Sequence, residues 1–391
     1  MPKLAKYKDC TGCMACVDSC HQQALQCSLN KEGHIVPVVD ENTCINCGAC
    51  EKTCPVVSKL EYTTSPLAKA YAGWAKDDVV RQVSATAGTF AAMAQYVLSI
   101  GGYVCGAAIV DGIYVKHICI DKLEDLYLLQ GSKYTQSNAT GIYKTVYSHL
   151  KDSATLLFSG TGCQVAGLYG FLRNRKYKGN LFTVDLICGG VPSRLLIDKF
   201  VENESYTVKR IVSFRSKDNG WSPKGFKYNL KVEDSKGHVH DYTNKRNLIT
   251  TGFACEMTNR YSCYSCQFAG VNRKSDFTIG DYWGVKDYPE QHHNGVSAII
   301  VHNERAVSFL RSCSSYLETF EADLNDILVH AKRLEKTKDG RCLLPERRMI
   351  ATAFRRLDYK TLCRVYALDF SSKSPWMLYK LYRVIISRII K

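Results

Sequence analysis

Residues 8–20, KDCTGCMACVDSC, and residues 42–54, NTCINCGACEKTC, are two copies of one short unit. Both copies space four cysteines as C-x2-C-x2-C-x3-C, and a proline follows the second copy. The cysteines are Cys10, Cys13, Cys16, Cys20, Cys44, Cys47, Cys50 and Cys54. Gaps of two residues let three thiolates surround one metal cluster from a single loop, while the fourth cysteine starts a helix that points toward another cluster.

The spacing therefore predicts two four-iron, four-sulfur clusters whose ligands are exchanged between the two copies. One cluster is assigned to Cys10, Cys13, Cys16 and Cys54, and the other to Cys20, Cys44, Cys47 and Cys50. Zinc knuckles are the main alternative, but zinc takes its ligands in two pairs rather than in this repeat. Residues 1–57 resemble the bacterial two-cluster ferredoxin domain, although His21 stands where that family usually has proline. Cys27 lies outside the repeat and is predicted to be a buried non-ligand.

The cysteine total and the composition restrict the class of protein. The chain of 391 residues has 19 cysteines, an odd number that includes the two tight clusters, which favours metal binding over a disulfide framework. The sequence contains no apolar run long enough for a spanning helix, and the first ten residues lack the apolar core of a signal peptide. These features predict a cytoplasmic protein.

The net charge of +15 is concentrated at one end of the chain. Residues 1–60 contain six lysines and six acidic residues, whereas residues 323–391 contain sixteen Lys or Arg and seven Asp or Glu, a difference of +9. The segment 374–391 combines this charge with aromatic and aliphatic residues behind Pro375. It predicts an amphipathic helix that either lies on an anionic surface at the inner face of a membrane or docks on the body or a partner subunit.

The whole sequence predicts an α+β protein in four parts. They are a two-cluster ferredoxin-type domain at 1–60, a linker at 61–69, an α/β body with a mixed sheet at 70–320, and a basic helical region at 321–391. Predicted strands of the body are 70–76, 103–110, 155–160 and 181–188, and predicted helices are 88–100, 163–175 and 194–203. Successive β-like runs over 208–242 predict an antiparallel patch.

Four further cysteines lie at strand ends or in a short pair. Cys163 in GTGCQ and Cys188 in DLICGG each stand at a predicted strand-to-helix transition, where ligands collect in open α/β sheets. Cys263 and Cys266 form a C-x2-C pair in RYSCYSCQF. Together these residues supply four thiolates, the number that a third cluster needs. Two core cysteines beside a zinc or redox C-x2-C pair are the alternative.

Five segments of the body occur in a characteristic order: SKYTQS (132–137), FSGTGCQVAGL (158–168), VDLICGGVPS (184–193), SCYSC (262–266) and SDFTIGDYWG (275–284). With these segments, the body resembles the coenzyme F420 hydrogenase/dehydrogenase beta-subunit family over roughly residues 68–300. With its cysteine-rich head, the chain is similar to members in bacteria that lack the coenzyme, some of them associated with polysaccharide-biosynthesis clusters. The resemblance implies FAD in the body and a third four-iron cluster on Cys163, Cys188, Cys263 and Cys266.

The resemblance also implies contacts to the flavin. Gly88 lies in SATAGTF (84–90), which corresponds to the family's turn before the first helix but departs from its usual Ser-Gly-Gly-like run. Such a turn offers amides to a pyrophosphate. Lys133 is expected to contact phosphate or flavin, because a cation near the ring stabilises reduced flavin. Asp276 and Asp281 are expected to line the same pocket.

The leading hypothesis is an iron–sulfur, flavin-containing oxidoreductase in which electrons pass from the head clusters through the body cluster to FAD and a substrate. The alternative is a non-catalytic electron-transfer subunit that serves a partner enzyme. An electron-donor or electron-acceptor protein is the expected partner in both cases. The sequence has no nucleic-acid-binding signature and no P-loop, so no nucleic acid partner is expected. No catalytic side chain is assigned, and His292 and His293 are predicted to be solvated loop residues.

Overall fold

The computed structural model describes residues 1–58, 68–218, 220–224, 229–242, 247–254, 256, 258–331, 334 and 352–366. Its strands are β1 Leu25–Leu29, β2 Ile35–Val39, β3 Lys69–Ala75, β4 Tyr103–Val110, β5 Tyr114–Ile120, β6 Thr155–Gly160, β7 Asn180–Leu186, β8 Val208–Ser213, β9 Lys231–Asp234, β10 Val239–Asp241, β11 Phe277–Asp281, β12 Ser297–Val301 and β13 Leu317–Ala322. Its helices are α1 Ala15–Asp18, α2 Ala49–Thr53, α3 Asp78–Val83, α4 Thr89–Ser99, α5 Leu126–Leu129, α6 Ile142–Lys151, α7 Gly162–Leu172, α8 Leu195–Asn203, α9 Leu248–Ala254, α10 Tyr261–Tyr264, α11 Glu304–Ser312, α12 Leu324–His330 and α13 Tyr359–Tyr366.

The body is built around an eight-stranded sheet with the strand order β13-β3-β12-β11-β7-β6-β4-β5. The central pairs β4–β6, β6–β7 and β7–β11 are parallel, and the remaining pairs toward both edges are antiparallel. In β6, Leu157 packs with residues of α4 and α11, whereas Leu156 and Phe158 pack with residues of α6 and α7. Helices therefore cover both faces, which explains the continuous apolar run of this strand. The prediction of an α/β body with a mixed sheet is confirmed.

The carboxyl ends of β6 and β7 lie side by side, because the two strands are parallel neighbours. The chain leaves β6 at Gly160 and enters α7 through Thr161, whose hydroxyl and the Gln164 side chain form a capping box. This cap fixes the turn in which Cys163 lies. Cys188 follows β7 by two residues, so both cysteines reach the same edge of the sheet.

A second, smaller sheet confirms the predicted antiparallel patch. Strands β8, β9 and β10 pair antiparallel in the order β10-β9-β8. Their apolar side chains share one core with residues of α8, α9 and α13. Helices α12 and α13 belong to the predicted basic region at 321–391, and α13 packs against α8 on the body. The predicted tail helix at 374–391 lies outside the described residues.

The head repeats its backbone conformation as well as its sequence. Gly12 and Asn46 occupy equivalent positions and have φ values of 67° and 54°. Met14 and Gly48, which precede α1 and α2, have φ values of 64° and 73°. The left-handed turns are therefore dictated by the cysteine loops rather than by glycine alone. The antiparallel pair β1–β2 separates the two copies. The prediction that Cys27 is buried is wrong, because it points outward from β1 and is exposed.

The head packs directly on the body. The Asp18 carboxylate of α1 accepts hydrogen bonds from the backbone amides of Gly141 (2.6 Å) and Tyr143 (3.0 Å), which satisfies the first turn of α6. The Tyr143 hydroxyl in turn donates to the Cys13 carbonyl at 2.8 Å. Most of the predicted linker at 61–69 lies outside the described residues, and β3 begins at Lys69. Within the described ranges, no helix is long and apolar enough to cross a membrane.

Candidate electron-transfer site

The first cysteine set consists of Cys10, Cys13, Cys16 and Cys54, which converge from both copies of the repeat. All of them line one small cavity in the head. Burial raises the pKa of the Cys13 thiol to about 12, and the neighbouring Cys54 adds to the rise. Thiols of this kind stay protonated at neutral pH until a metal displaces the proton. The arrangement is the one that a crossed cluster requires.

The second cysteine set consists of Cys20, Cys44, Cys47 and Cys50. It lies nearer to solvent than the first set. Cys20 and Cys50 are buried, Cys44 is partly exposed and Cys47 is exposed. Cys20, Cys44 and Cys50 share one apolar cluster with residues around α1 and β2. Burial raises the pKa of Cys50, and the nearby Cys47 contributes to the rise. One side of this set therefore faces the outside of the molecule, next to the exposed side chain of Ile45.

The third cysteine set consists of Cys163, Cys188, Cys263 and Cys266, which come from three separate segments of the chain. Burial raises the pKa of Cys163 well above its ordinary value, and Cys266, Cys188 and Cys13 add to the rise. Burial, followed by Cys188 and Cys266, raises the pKa of Cys263 to about 12. The members of the set are thus mutual neighbours, and Cys13 of the first set is close to them.

The donor chemistry of these sets fits iron–sulfur clusters. Backbone amides face the sulfurs: Ala15 donates to Cys13, and Gly190 donates to Cys188 at 3.4 Å. Such hydrogen bonds stabilise cluster thiolates and tune their potential. In the described part of the chain, no group of three or more His, Cys, Asp or Glu side chains is arranged to hold a metal ion. A four-iron cluster binds each thiolate to a different iron, so its ligands stand farther apart than those of one zinc ion.

A cavity of about 620 Å³ lies at the carboxyl ends of the central strands. Its wall includes Thr11 and Gly12 of the head, Cys163 and Cys188 of the third set, and the segment 84–91 at the start of α4. Ligand sites of α/β proteins lie at this edge of the sheet, where strands end and helices begin. The cavity is large enough for a cofactor of drug-like size or more.

The start of α4 is built to receive an anion. Gly88 caps the helix with a φ of 76°, and a Cβ atom there would lie 3.0 Å from the Ala75 Cβ and 3.2 Å from the Arg81 Cα. The Thr89 side chain is 2% exposed, and its Oγ1 has no hydrogen-bond partner among the described residues. A buried hydroxyl without a partner is costly, so a bound acceptor would stabilise it. Helix amides and this hydroxyl suit a phosphate group.

Lys133 also faces the cavity. Its Nζ donates to the carbonyl oxygens of Gln130 at 2.7 Å and Leu128 at 3.3 Å, at the end of α5. Burial lowers the pKa of Lys133 to about 7. No carboxylate in the described ranges forms an ion pair with it. Its charge is therefore available to a bound anion.

The two predicted aspartates lie at opposite ends of β11. Asp281 lines the cavity, but it accepts hydrogen bonds from Arg215 (2.7 and 3.0 Å), Trp221 (2.7 Å) and Thr86 (2.8 Å). Its role is to hold the cavity wall in place. Asp276 precedes the strand, lies outside the cavity lining, and accepts from Thr183 and Arg305. The structure thus separates a pair that the sequence placed in one pocket.

Sequence analysis missed His117 and Arg215 in the cavity wall. The His117 Nε2 lies 3.1 Å from the Ser159 carbonyl, which can only accept, so Nε2 donates and Nδ1 accepts from the Ser137 hydroxyl at 2.7 Å. Burial lowers the pKa of His117 to about 4, so the ring is neutral at physiological pH. The sequence signal that could have indicated His117 is its partner Ser137, which belongs to the SKYTQS segment. Arg215 follows β8 of the small sheet, and no motif marked it.

The fold and the cysteine sets, of which the first and third lie close together, define an iron–sulfur electron-transfer protein. Residues 9–57 match the 4Fe-4S dicluster domain, and residues 153–324 match the family described as the C-terminal part of the coenzyme F420 hydrogenase/dehydrogenase beta subunit. The head is therefore similar to a dicluster domain, and that part of the body is similar to the C-terminal part of the F420 hydrogenase/dehydrogenase beta subunit. This confirms the resemblance derived from the sequence motifs.

A chain in a structure of the F420-reducing NiFe hydrogenase complex from Methanosarcina barkeri is also similar. It shares 18% sequence identity, the alignment covers 77% of this chain and 91% of that chain, and the TM-score is 0.43. Similarity at this level carries no conclusion about activity. No protein of curated function matches the chain.

Proposed function

We propose that this chain is a flavin-containing iron–sulfur oxidoreductase that passes electrons between a partner protein and FAD in the cavity. The observation that carries the proposal is the position of Cys163 and Cys188. They belong to the third cysteine set, they line the same cavity as Thr89 and Lys133, and Cys163 is close enough to Cys13 to interact electrostatically. Thiols that face both the head and a cofactor-sized cavity support an electron path that ends in that cavity.

Each cysteine set has a separate part in this path. The second set, with exposed Cys47, faces a partner protein. The first set lies between the second set and the body, because Cys16 shares an apolar cluster with Cys20 and Cys50 while Cys13 approaches Cys163. The third set borders the cavity. Four-iron clusters bound by these sets would supply one-electron carriers.

The cavity residues suit FAD by charge and by shape. The α4 amides and the Thr89 hydroxyl would bind the pyrophosphate, and Lys133 would contact a phosphate or the ring. When bound, FAD supplies two-electron chemistry and takes up two electrons and two protons. His117 is neutral and hydrogen-bonded through both ring nitrogens, so its role is to fix the wall between β5 and β6. No described residue identifies the substrate, and the polysaccharide expectation stays a prediction.

The alternative is an electron-transfer subunit that serves a separate enzyme. It is favoured by the cavity wall itself, because Asp281 and His117 are both held by internal hydrogen bonds and neither is available as an acid or base. In that case the cysteine sets keep their roles, and the final acceptor lies outside this chain.

Anaerobic purification of the full chain, followed by iron, sulfide and released-flavin analysis, tests the proposal. We expect about twelve irons and about one FAD per chain. A Cys163→Ala variant should lose about four irons and keep the remaining eight, whereas Cys313→Ala, a buried cysteine outside all three sets, should lose none. About twelve irons without flavin would instead support the subunit alternative, and about eight irons in the unmodified chain would refute the third cluster.

A further inference from the structure

Among the residues that the structure describes, Arg260 is the largest side chain that is almost completely buried, with 1% of it exposed. It precedes α10, the short helix that contains Cys263. Its guanidinium donates to the Cys10 carbonyl from Nε (3.3 Å) and Nη2 (3.1 Å), and to the Ile35 carbonyl from Nη1 (2.8 Å). Nη1 also donates to the Gln136 Oε1 at 3.1 Å. All of these acceptors are neutral.

Among the described residues, Arg260 has no countercharge, unlike Arg215 and Arg273. Arg215 pairs with Asp281 at 2.7 Å, and Arg273 pairs with Asp185 at 3.1 Å. Arg260 has no carboxylate within ion-pair distance in the described part of the chain. Arg81 is also buried, and within the described ranges it donates only to neutral groups, namely the side chain and carbonyl of Gln291 and the carbonyl of Gly295. A buried guanidinium without a countercharge is costly, so an anionic group placed beside Arg260 would stabilise it.

The position of Arg260 identifies that group. On one side its side chain holds the carbonyl of Cys10, a member of the first set. On the other side its carbonyl accepts the Cys263 amide at 3.0 Å, and its charge acts on the Cys263 thiol. Its own amide donates to Val191, three residues after Cys188, at 3.0 Å. The guanidinium thus lies between the first and third cysteine sets.

The first loop of the head is shaped for this contact. At Gly12, which has a φ of 67°, a Cβ atom would lie 2.8 Å from the Arg260 Nη1, 2.5 Å from the Gln136 Nε2 and 2.7 Å from the Ile35 carbonyl oxygen. Any larger residue would displace the guanidinium. The Ser262 hydroxyl is a further, uncharged donor to the same Cys10 carbonyl, at 3.1 Å.

We propose that Arg260 is a positioning residue that carries the shared countercharge of the clusters held by the first and third sets, and raises the reduction potentials of both. The part that concerns the third set rests on the proposed function. Reduction adds one electron to a cluster bound by four thiolates and makes it more negative. A fixed buried cation stabilises the reduced state more than the oxidised state, because its field acts through a medium of low dielectric constant.

Redox titration of the anaerobically purified full chain, with dithionite as reductant and electron paramagnetic resonance as readout, tests the proposal. Arg260→Gln keeps a hydrogen-bond donor and removes the charge. We expect the reduction equilibrium of two clusters to change by about tenfold, so that their signals shift by about 59 mV to more negative potential for a one-electron couple. The signal of the second set should not move. Arg260→Lys, which keeps the charge, should shift both signals by less than half as much.

Ser262→Ala is the matched control, because it removes an uncharged donor from the same carbonyl. Equal shifts in Ser262→Ala and Arg260→Gln, or the same shift in all signals, would overturn the proposal. If Arg260→Gln does not retain iron, Arg260→Lys tests the proposal instead. A change of about tenfold in the reduction equilibrium of Arg260→Lys, toward more negative potential, would show that the charge is not what sets the potential. If the unmodified chain binds only about eight irons, the third cluster is refuted, while the signal of the first set still tests Arg260.

Discussion

Gly167 and Cys13 approach each other so closely that a Cβ atom on the glycine would lie 3.0 Å from the Cys13 sulfur and 3.2 Å from its Cβ. Gly167 lies in α7, the helix that begins next to Cys163. The absence of a side chain at this position lets the first cysteine set rest directly on the helix that carries part of the third set.

Gly167→Ala should therefore displace the first cysteine loop. Contacts of 3.0 to 3.2 Å are tighter than most real Cβ contacts, so Cys13 or α7 must move slightly to admit the methyl group. We expect the variant to bind fewer irons per chain and to lose about 1–3 kcal/mol of stability. Iron analysis and thermal unfolding under anaerobic conditions measure the two effects. Gly106→Ala is the control, because its new Cβ would meet neighbours only at 3.6 Å or beyond; full iron content in both variants contradicts the prediction.

Exchange of ligands between the two copies can be tested with Cys54→Ala. Cys54 belongs to the second copy but lines the cavity of the first set. The variant should lose about four irons and the signal of the first set, which is one of the two that Arg260→Gln shifts, while it keeps the signal of the second set. Cys27→Ala, an exposed cysteine on β1, should leave the iron content unchanged. Loss of the second-set signal in Cys54→Ala would show that each copy binds its own cluster.

Thr89→Val should affect ligand binding and stability in opposite ways. The Thr89 hydroxyl is buried and has no partner among the described residues, so valine removes no internal hydrogen bond. We expect stability to stay within about 0.5 kcal/mol, or to increase, and the affinity for FAD to fall by about tenfold. Chemical unfolding and flavin titration of the apo chain measure these quantities.

Thr86→Val is the matched control for Thr89→Val. The Thr86 hydroxyl donates to Asp281 at 2.8 Å, so its loss leaves a buried carboxylate with one donor fewer. This variant should lose about 1–3 kcal/mol of stability. If Thr89→Val is destabilised as much as Thr86→Val and binds FAD normally, the hydroxyl serves the fold and not a ligand.

The pKa of Lys133 predicts how flavin affinity depends on pH. Burial lowers this pKa to about 7, so the unliganded side chain loses its proton as the pH rises through that value. A bound phosphate favours the charged form, so binding above pH 7 must take up a proton. We expect the dissociation constant of FAD to rise by up to about tenfold per pH unit between pH 7 and pH 9. Lys133→Met should bind FAD weakly and without this dependence, and a pH-independent affinity in the unmodified chain would contradict the assignment.

The Arg215–Asp281 pair should be a major stabilising contact of the cavity wall. Burial alone would raise the pKa of Asp281, but Arg215, Thr86 and Trp221 outweigh burial and hold it below the ordinary value. The contribution is therefore present above pH 3.8 and is lost as the pH falls through the lower, folded-state pKa. Asp281→Asn should cost about 3–5 kcal/mol at pH 7, because it leaves Arg215 buried without a countercharge.

Glu124→Gln is the control for Asp281→Asn. Glu124 pairs with Lys122 at 3.7 Å, but both side chains are more than half exposed. Its removal should change the free energy of unfolding by less than about 0.5 kcal/mol. Denaturant unfolding of the apo chain compares both variants, and equal effects would mean that the buried pair contributes no more than a surface pair.

The sequence predicted the features that depend on local spacing. The C-x2-C-x2-C-x3-C repeat is local, and it predicted the two cysteine loops and the grouping of Cys54 with Cys10, Cys13 and Cys16, which line one cavity in the structure. The alternation of apolar runs and helical patterns predicted the mixed sheet for the same reason. Each of these signals lies within a few tens of residues, where hydrophobic period and ligand spacing determine the structure.

Tertiary structure alone decided how the parts meet. Arg260 and Cys10 are separated by 250 positions, and no periodicity indicates that a guanidinium of the body would hold a carbonyl of the head. The same is true of Arg215 and Asp281, and it explains why Asp281 proved to be paired while Asp276 lies outside the cavity lining. Such contacts arise from the packing of sheets and loops that are distant along the chain. The sequence by itself determined which thiols are spaced for metal chemistry, and the fold determined which buried charges lie between them.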